Sequence, residues 1–445
     1  FMPSSASPGD EQDELARQAI GDCPLFIKAV TRLADKREVV AREDIYAKGG
    51  MKLVSGGSRL SGHHYDRLVA HKLLKPIEQS LRVAGALDAS RLLSLVLEKA
   101  RLIPSLVQRL EESELLVRLK GLFTELTIPE PLALKLSVMQ EEHPALFEHS
   151  LMSAVIATVL GIRGKLPREE IQALTLASVF HDIGELYIDP GFFEQGHQMT
   201  MEERRHLYVH PITGFLMLRD FAELPKGTAD AVLQHHERLD GVGYPYRLSG
   251  GQITTVSRYL AVAEVAASLF LKYGADKRIS MKFRMNIKKY DANAVTIISS
   301  LFEDPQLQHG PKPDEVALIA RLAQVGKLFE GWADLKDSLS EHDLAELSFL
   351  VERMNSLRGL VLEPGYDQCR LEDIVSLSGE ADPEICMELM VLLDELNWQF
   401  KALSRGVERD QSVWGMQIPG RHKNKLDDWL AQVRCFVESE RTLNS

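Results

Sequence analysis

Apolar residues recur at helical spacing along most of the 445-residue chain. The pattern predicts a helix over residues 14–35. It resumes over 63–126, through Leu68, Leu73, Leu74, Ile77 and Leu81, then Leu92, Leu93, Val96 and Leu97, then Ile103, Val107 and Leu110. Pro129 and Pro131 interrupt it and mark a candidate boundary. Helical spacing returns at Leu134, and Pro167 opens a helix carrying Ile171, Leu174, Leu176, Val179 and Phe180. Further helices are expected over 201–219, 229–237 and 256–272, with a Gly/Pro-rich loop over 240–252. Pro311 and Pro313 mark a second boundary, after which 315–329, 344–360, 371–377, 383–396 and 426–440 read as helices. The one strong β signal is a short hairpin within 44–59, where Ile45-Tyr46 and Lys52-Leu53-Val54 flank Gly49-Gly50. The expected fold class is therefore mainly α. In order, the chain reads as a disordered tail (1–12), an N-terminal regulatory region that is helical with the hairpin (13–130), a central domain (131–310) and a C-terminal helical region (311–445).

Composition narrows the function classes. Hydrophobic residues make up 45% of the chain and charged residues 26%, which excludes disorder of the whole chain. A net charge of -12 argues against a DNA- or RNA-coating surface. It does not exclude a small anionic substrate, which needs only a local positive site. Cys23, Cys369, Cys386 and Cys435 form no C-x-x-C pair, as expected of thiols in a reducing compartment. The apolar run 151–162 is shorter than the roughly 18–20 residues that span a bilayer, and the first ten residues show no signal-peptide pattern. The expectation is a cytoplasmic protein with no membrane partner. Trp332, Trp398, Trp414 and Trp429 are expected to pack the core of the C-terminal region.

The candidate chemistry lies in the middle. Eight of the fourteen histidines fall between His143 and His236. His149 sits on an amphipathic helix beside Leu146, Met152, Val155 and Ile156. His181-Asp182 ends an apolar helix, His210-Pro211 opens another, and His235-His236-Glu237 closes a third just before a glycine loop. Several helix ends could thus aim imidazoles and a carboxylate at one place. That ligand set suits Fe, Mn, Zn or Ni, and it is large enough for two ions. Two ions a few ångströms apart provide the two-metal route to phosphodiester hydrolysis.

The order His149, His181-Asp182-Ile183-Gly184, His210-Pro211, His235-His236-Glu237 and Asp240-Gly241-Val242-Gly243-Tyr244-Pro245 resembles the HD-GYP branch of the HD phosphohydrolases, across about residues 135–270. The resemblance implies an all-helical HD-type domain that hydrolyses cyclic di-GMP to pGpG or GMP in bacterial signalling. It implies two divalent transition-metal ions, Fe or Mn before Zn or Ni. His149, His181 and Asp182 would bind the first ion, with Asp182 bridging, and His210, His235 and His236 the second. Glu264 stands where the family closes the site with Asp, and Ala267 where it has a second Asp. Glu185, the second candidate catalytic residue with Asp182, stands where the family has a phosphate-contacting Lys; its carboxylate would repel a phosphate there, or turn to the metals as a further ligand. Asp240, Gly241, Gly243, Tyr244 and Pro245 would line the substrate. The basic run Lys272, Lys277, Arg278, Lys282, Arg284, Lys288 and Lys289 would hold phosphates, with Lys277 and Arg278 as the candidates. Two other classes stay open: a catalytically inactive sensor of cyclic di-GMP or of a protein, and an HD phosphohydrolase of another nucleotide or phosphoester. The C-terminal region would complete the domain or bind a signalling protein partner. The long amphipathic helices suit a homodimer without requiring one.

Overall fold

The computed structural model describes residues 8–20, 23–111, 114–193, 197, 199–302, 315–362, 383–414 and 420–438. The expected helix over 371–377 lies outside them, as do the first seven residues. The fold is mainly α, as the periodicity predicts. Two helices, α1 (Pro8–Ile20) and α2 (Pro24–Lys36), stand where one was expected, and α1 takes up part of the predicted disordered tail.

The N-terminal region holds two short antiparallel ladders. The predicted hairpin is present as β2 (Ile45–Tyr46) and β3 (Lys52–Val54). The other ladder pairs β1 (Val39–Ala41) with β4 (Leu81–Val83), Val39 opposite Val83. The stretch 63–83 is thus no continuous helix. It holds a 3-10 turn (Gly62–His64), the five-residue α3 (Tyr65–Val69), a 3-10 turn (Ile77–Gln79) and β4. The remaining helices there are α4 (Ala89–Ala100), α5 (Pro104–Glu111) and α6 (Glu114–Thr124).

Pro129 and Pro131 begin a helix instead of separating domains. Pro129 caps α7 (Glu130–Glu142) and Pro131 lies in its first turn, where a missing N–H costs nothing. Every residue over 132–139 is buried, because α7 packs on α2 and β4 on one side and on α8 (Pro144–Arg163) on another. The described residues up to Ala275, with those from Ile287 to 302, accordingly form one packed unit that crosses the expected boundary at 130.

α8 is the centre of that unit. It is apolar on all sides, the signature of a helix surrounded by others. α4, α7, α9 (Arg168–Phe180), α13 (Thr255–Tyr273) and α15 (Ala292–Phe302) pack around it. At 20 residues with mean hydropathy 1.6 it is long and apolar enough to cross a membrane, contrary to the shorter run read from sequence, but 78% of that stretch is buried inside the fold. The short helices α10 (Met201–Tyr208), α11 (His210–Leu218) and α12 (Thr228–Gln234) complete the unit, α12 lying on α9 and α13.

The second unit joins Asp276–Asn286, which carries α14 (Arg278–Met285), to the described residues beyond 305. These form α16 (Glu315–Asp337), α17 (Glu341–Glu346), α18 (Ser348–Leu362), α19 (Pro383–Trp414) and α20 (Gly420–Glu438). Its core includes Leu322, Leu350, Leu392 and Phe400, with the rings of Trp332 and Trp429 5.2 Å apart. Trp398 departs from the expectation for the tryptophans, being 54% exposed. The expected central domain 131–310 is also divided here, since 276–286 packs with the C-terminal helices.

Candidate metal centre

Three of the histidines stand at helix ends, and the ends explain their orientation. A helix leaves its last carbonyls without intrahelical partners. His181 follows α9, His210 follows α10 and His235 follows α12. In each case Nδ1 meets the carbonyl three residues back: Ser178 at 2.8 Å, Leu207 at 2.6 Å and Val232 at 2.6 Å. A carbonyl only accepts, so Nδ1 donates. Each neutral ring is thereby fixed as the tautomer whose Nε2 lone pair points away from its helix. A second hydrogen bond of this kind is the usual way a metal-binding imidazole is held.

The freed Nε2 atoms converge on Asp182, the residue that starts the 3-10 turn Ile183–Tyr187. Its Oδ2 lies 3.0 Å from His181 Nε2 and 3.8 Å from His149 Nε2. Its Oδ1 lies 3.3 Å from His210 Nε2 and 3.5 Å from His235 Nε2. Two groups have ligand atoms within 4.8 Å of one another: His149, His181 and Asp182, and Asp182, His210, His235 and His236. Asp182 belongs to both.

These donors fit a cation. His210 and His235 bring Nε2 atoms within 3.2 Å, and His149 and His181 within 3.1 Å. With Nδ1 protonated on both His210 and His235, their Nε2 lone pairs face each other and repel unless a positive charge sits between them. Burial works against a charge on His181, yet Asp182 overcomes it and raises that imidazole to about 9. Burial likewise opposes Asp182 in raising His210. Burial, helped by neighbouring imidazoles, pushes His149 and His235 down to about 4 and His236 well below its usual value. Burial alone would raise the Asp182 carboxyl, but the surrounding imidazoles hold it well below the usual range. Asp182 thus favours charge on His181 and His210, while His149, His235 and His236 stay neutral with Nε2 available as a ligand, and a divalent ion competes there with protons.

Residues 135–291 match the HD domain family. This stretch, about a third of the chain, is similar to HD domains. It resembles a cyclic di-GMP phosphodiesterase of Pseudomonas aeruginosa, 31% identical over 27% of this chain and 29% of the relative. A cyclic di-GMP phosphodiesterase response regulator of Xanthomonas campestris is 32% identical over 27% of this chain and 31% of its own length. A 3'3'-cGAMP-specific phosphodiesterase of Vibrio cholerae is 27% identical over 35% of this chain and 36% of its own. The chain thus spans about a third of the length of these curated relatives.

Within the HD domain, Glu185 and Glu264 belong to neither compact group. Burial and the Asp182 carboxylate raise Glu185 to about 7, against the pull of His210 and His181. Glu264, on α13, is turned toward Arg238, 3.9 Å away, and its Oε2 is buried without a hydrogen-bond partner. Burial raises its carboxyl too, with Arg238 and His181 opposing. Held toward Arg238, the Glu264 Oε2 lies outside both ligand groups.

The glycine loop of the HD domain is tied to the histidine helix by Glu237. Its two oxygens accept the backbone N–H groups of Tyr246 (2.7 Å) and Leu248 (2.9 Å). Gly243 passes so close to this segment that a Cβ would lie 2.5 Å from Glu237 Cα and His236 O. Tyr244 stacks on His236, ring centroids 4.5 Å apart, and packs on Tyr208 at 4.8 Å. Asp240 makes a local turn, accepting Val242 N–H at 3.2 Å, next to Gly241 and its left-handed φ of 76°. Pro245 follows Tyr244 in a cis peptide. The structure thus brings Tyr244 to the histidines.

Lys277 and Arg278 are the candidate phosphate holders. Both belong to the second unit, where the Arg278 guanidinium is 2.9 Å from Asp276. Sequence reasoning gave no role to Glu237, although it stands in the quoted motif, nor to Tyr208 or Arg238. Arg238 stacks on Tyr290 at 5.2 Å and donates to the carbonyls of His235 and Glu237, both at 2.9 Å. No local pattern marks it.

Glu237→Gln tests the loop anchor. Gln keeps one acceptor but turns an N–H₂ toward the other backbone donor. We expect a loss of about 1–3 kcal/mol in chemical denaturation, with helix content preserved. Unchanged stability would show that the carboxylate does not hold the loop.

Proposed function

We propose that this protein is a metal-dependent phosphodiesterase of the HD-GYP type that hydrolyses cyclic di-GMP to pGpG or GMP. The observation that carries the reading is Asp182, with one carboxylate oxygen toward each of two imidazole groups. His149, His181 and Asp182 would hold one divalent ion; Asp182, His210, His235 and His236 would hold the other. Fe or Mn is favoured over Zn or Ni. Such a pair supplies Lewis-acid stabilisation of charge on the phosphate oxygens. The chain supplies the rest. The helix-end carbonyls orient the imidazoles, and Tyr244, stacked on His236 and packed on Tyr208, ties the glycine loop to them. Glu185 is taken to act toward the ions instead of the phosphate, because after burial its carboxyl is influenced most by Asp182, His210 and His181. The relatives named for 3'3'-cGAMP make that nucleotide the alternative substrate. The proposed setting is the cytoplasm.

The second reading is a nucleotide sensor without turnover. Glu264 favours it, since that carboxylate is turned to Arg238. Elemental mass spectrometry on purified protein, followed by anaerobic assays with Fe(II) or Mn(II) on cyclic di-GMP and 3'3'-cGAMP, separates the two. About two ions per chain with cleavage support the enzyme. Nucleotide binding without cleavage supports the sensor, and no metal sinks the enzyme.

Metal removal should also be visible in stability. An ion at 100 times its dissociation constant stabilises the folded state by about 2.7 kcal/mol. Chelation should lower the melting transition of the HD domain by about 5 °C or more. Identical melting with and without chelator would contradict a resident ion.

A further inference from the structure

One lysine lies deep in the apolar stretch of α7. Lys135 is 2% exposed, and all its neighbours over 132–139 are buried. Its Nζ donates to Glu78 Oε1 at 2.7 Å and to the Tyr187 hydroxyl oxygen at 2.5 Å. It also lies 4.3 Å from the ring centre of Phe26 and 5.0 Å from that of Tyr187. Those two rings stack on each other, 5.0 Å apart with planes at 16°.

The partners come from three places. Phe26 is on α2, and Glu78 is in the 3-10 turn just before β4, so both belong to the N-terminal region. Tyr187 is the last residue of the turn Ile183–Tyr187. That turn begins beside Asp182 and contains Glu185. It is hydrogen-bonded along its length, Glu185 N–H to Asp182 O at 2.9 Å and Ile188 N–H to Glu185 O at 3.0 Å. At about 2 Å per residue it spans about 10 Å, too short and too well bonded to absorb a shift at one end.

A buried ion pair contributes little net stability; apolar residues of similar size serve a core as well or better. What the ammonium adds is direction, by fixing the Tyr187 oxygen against Glu78. We infer that Lys135 is a positioning residue: with Glu78 and Phe26 it clamps the far end of the Asp182–Tyr187 turn, so that the N-terminal region sets where the bridging carboxylate stands. The inference rests on the reading of Asp182 as a shared metal ligand.

The test uses the full chain, with Mn(II) affinity, thermal stability, kcat and KM for cyclic di-GMP as readouts. Glu78→Leu with Lys135→Met removes both charges and leaves none unpaired. This double variant should melt close to the parent protein. Its Mn(II) affinity and kcat should fall about 10–100-fold, with KM changed by less than about twofold. Tyr187→Phe keeps the stack on Phe26 and removes only the oxygen; it should shift metal affinity and kcat in the same direction, and it carries the test if the double variant does not fold. Stable variants with parental Mn(II) affinity and kcat would overturn the inference and leave the metal reading intact. A parent protein that binds no Mn(II) would overturn both.

Discussion

On the proposed two-ion reading, Asp182→Ala should strip the protein of both ions and lower cyclic di-GMP turnover by about 10³-fold or more. Among the described residues Asp182 is the one in both ligand groups, so its loss opens both at once. Each histidine serves one group. His149→Ala should therefore leave about one ion per chain, while Asp182→Ala leaves almost none, a difference elemental analysis resolves. The rate effect follows from the charge stabilisation that the ions provide, worth several kcal/mol at 1.36 kcal/mol per factor of ten. The fold should survive. The Asp182 side chain caps no helix, and the neighbouring rings remain tied to carbonyls through Nδ1. Circular dichroism should match the parent protein. Asp182→Asn separates charge from shape: it keeps an oxygen but loses the negative charge that draws cations into the pocket, and it should also fail to hold two ions. Near-parental turnover in either variant would sink the two-ion reading.

The imidazole cluster was legible in the sequence for a physical reason. A histidine at a helix terminus can pair Nδ1 with an unused carbonyl and present Nε2 elsewhere, and His181, His210 and His235 all do so. Helix ends can be read from proline, glycine and apolar periodicity, so the convergence could be read too. Residues whose position depends on partners far along the chain were not legible. Leu81 matches a helical spacing, but β1, some 40 residues earlier, draws it into a strand. Pro129 and Pro131 look like a break, yet proline is as much at home in the first turn of a helix as outside one. Glu237 sat inside a quoted motif and still gave no hint of its role, because the backbone donors it holds belong to a loop whose path only the fold defines. Lys135 shows the same limit: a lone lysine in an apolar run has no visible partner until Glu78 and Tyr187 meet it.

Gly184→Ala is expected to disable the centre without touching a ligand. The motif glycine is required for space instead of for a left-handed backbone. A Cβ there would lie 2.2 Å from His210 O, 3.0 Å from its carbonyl carbon and 3.1 Å from its Cα. These are backbone atoms at the first residue of α11, which Pro211 stiffens, so no side-chain rotation relieves the clash. Either the Ile183–Tyr187 turn or α11 must move, and Asp182 and His210, now 3.3 Å apart, separate. A displacement of about 1 Å in such a site costs about 100-fold in rate. Overpacking of this kind costs about 1–3 kcal/mol of stability. Gly214→Ala is the informative control. There the added carbon would meet Val232 Cγ1 at 2.8 Å, a side-chain methyl with some freedom to give way. Gly214→Ala should lose stability while keeping more of its metal, whereas Gly184→Ala should lose ions from the His210 group first. Parental metal content and turnover in Gly184→Ala would mean that the turn carrying Asp182 is not held against α11, and the geometry from which the bridging role is argued would fall with it.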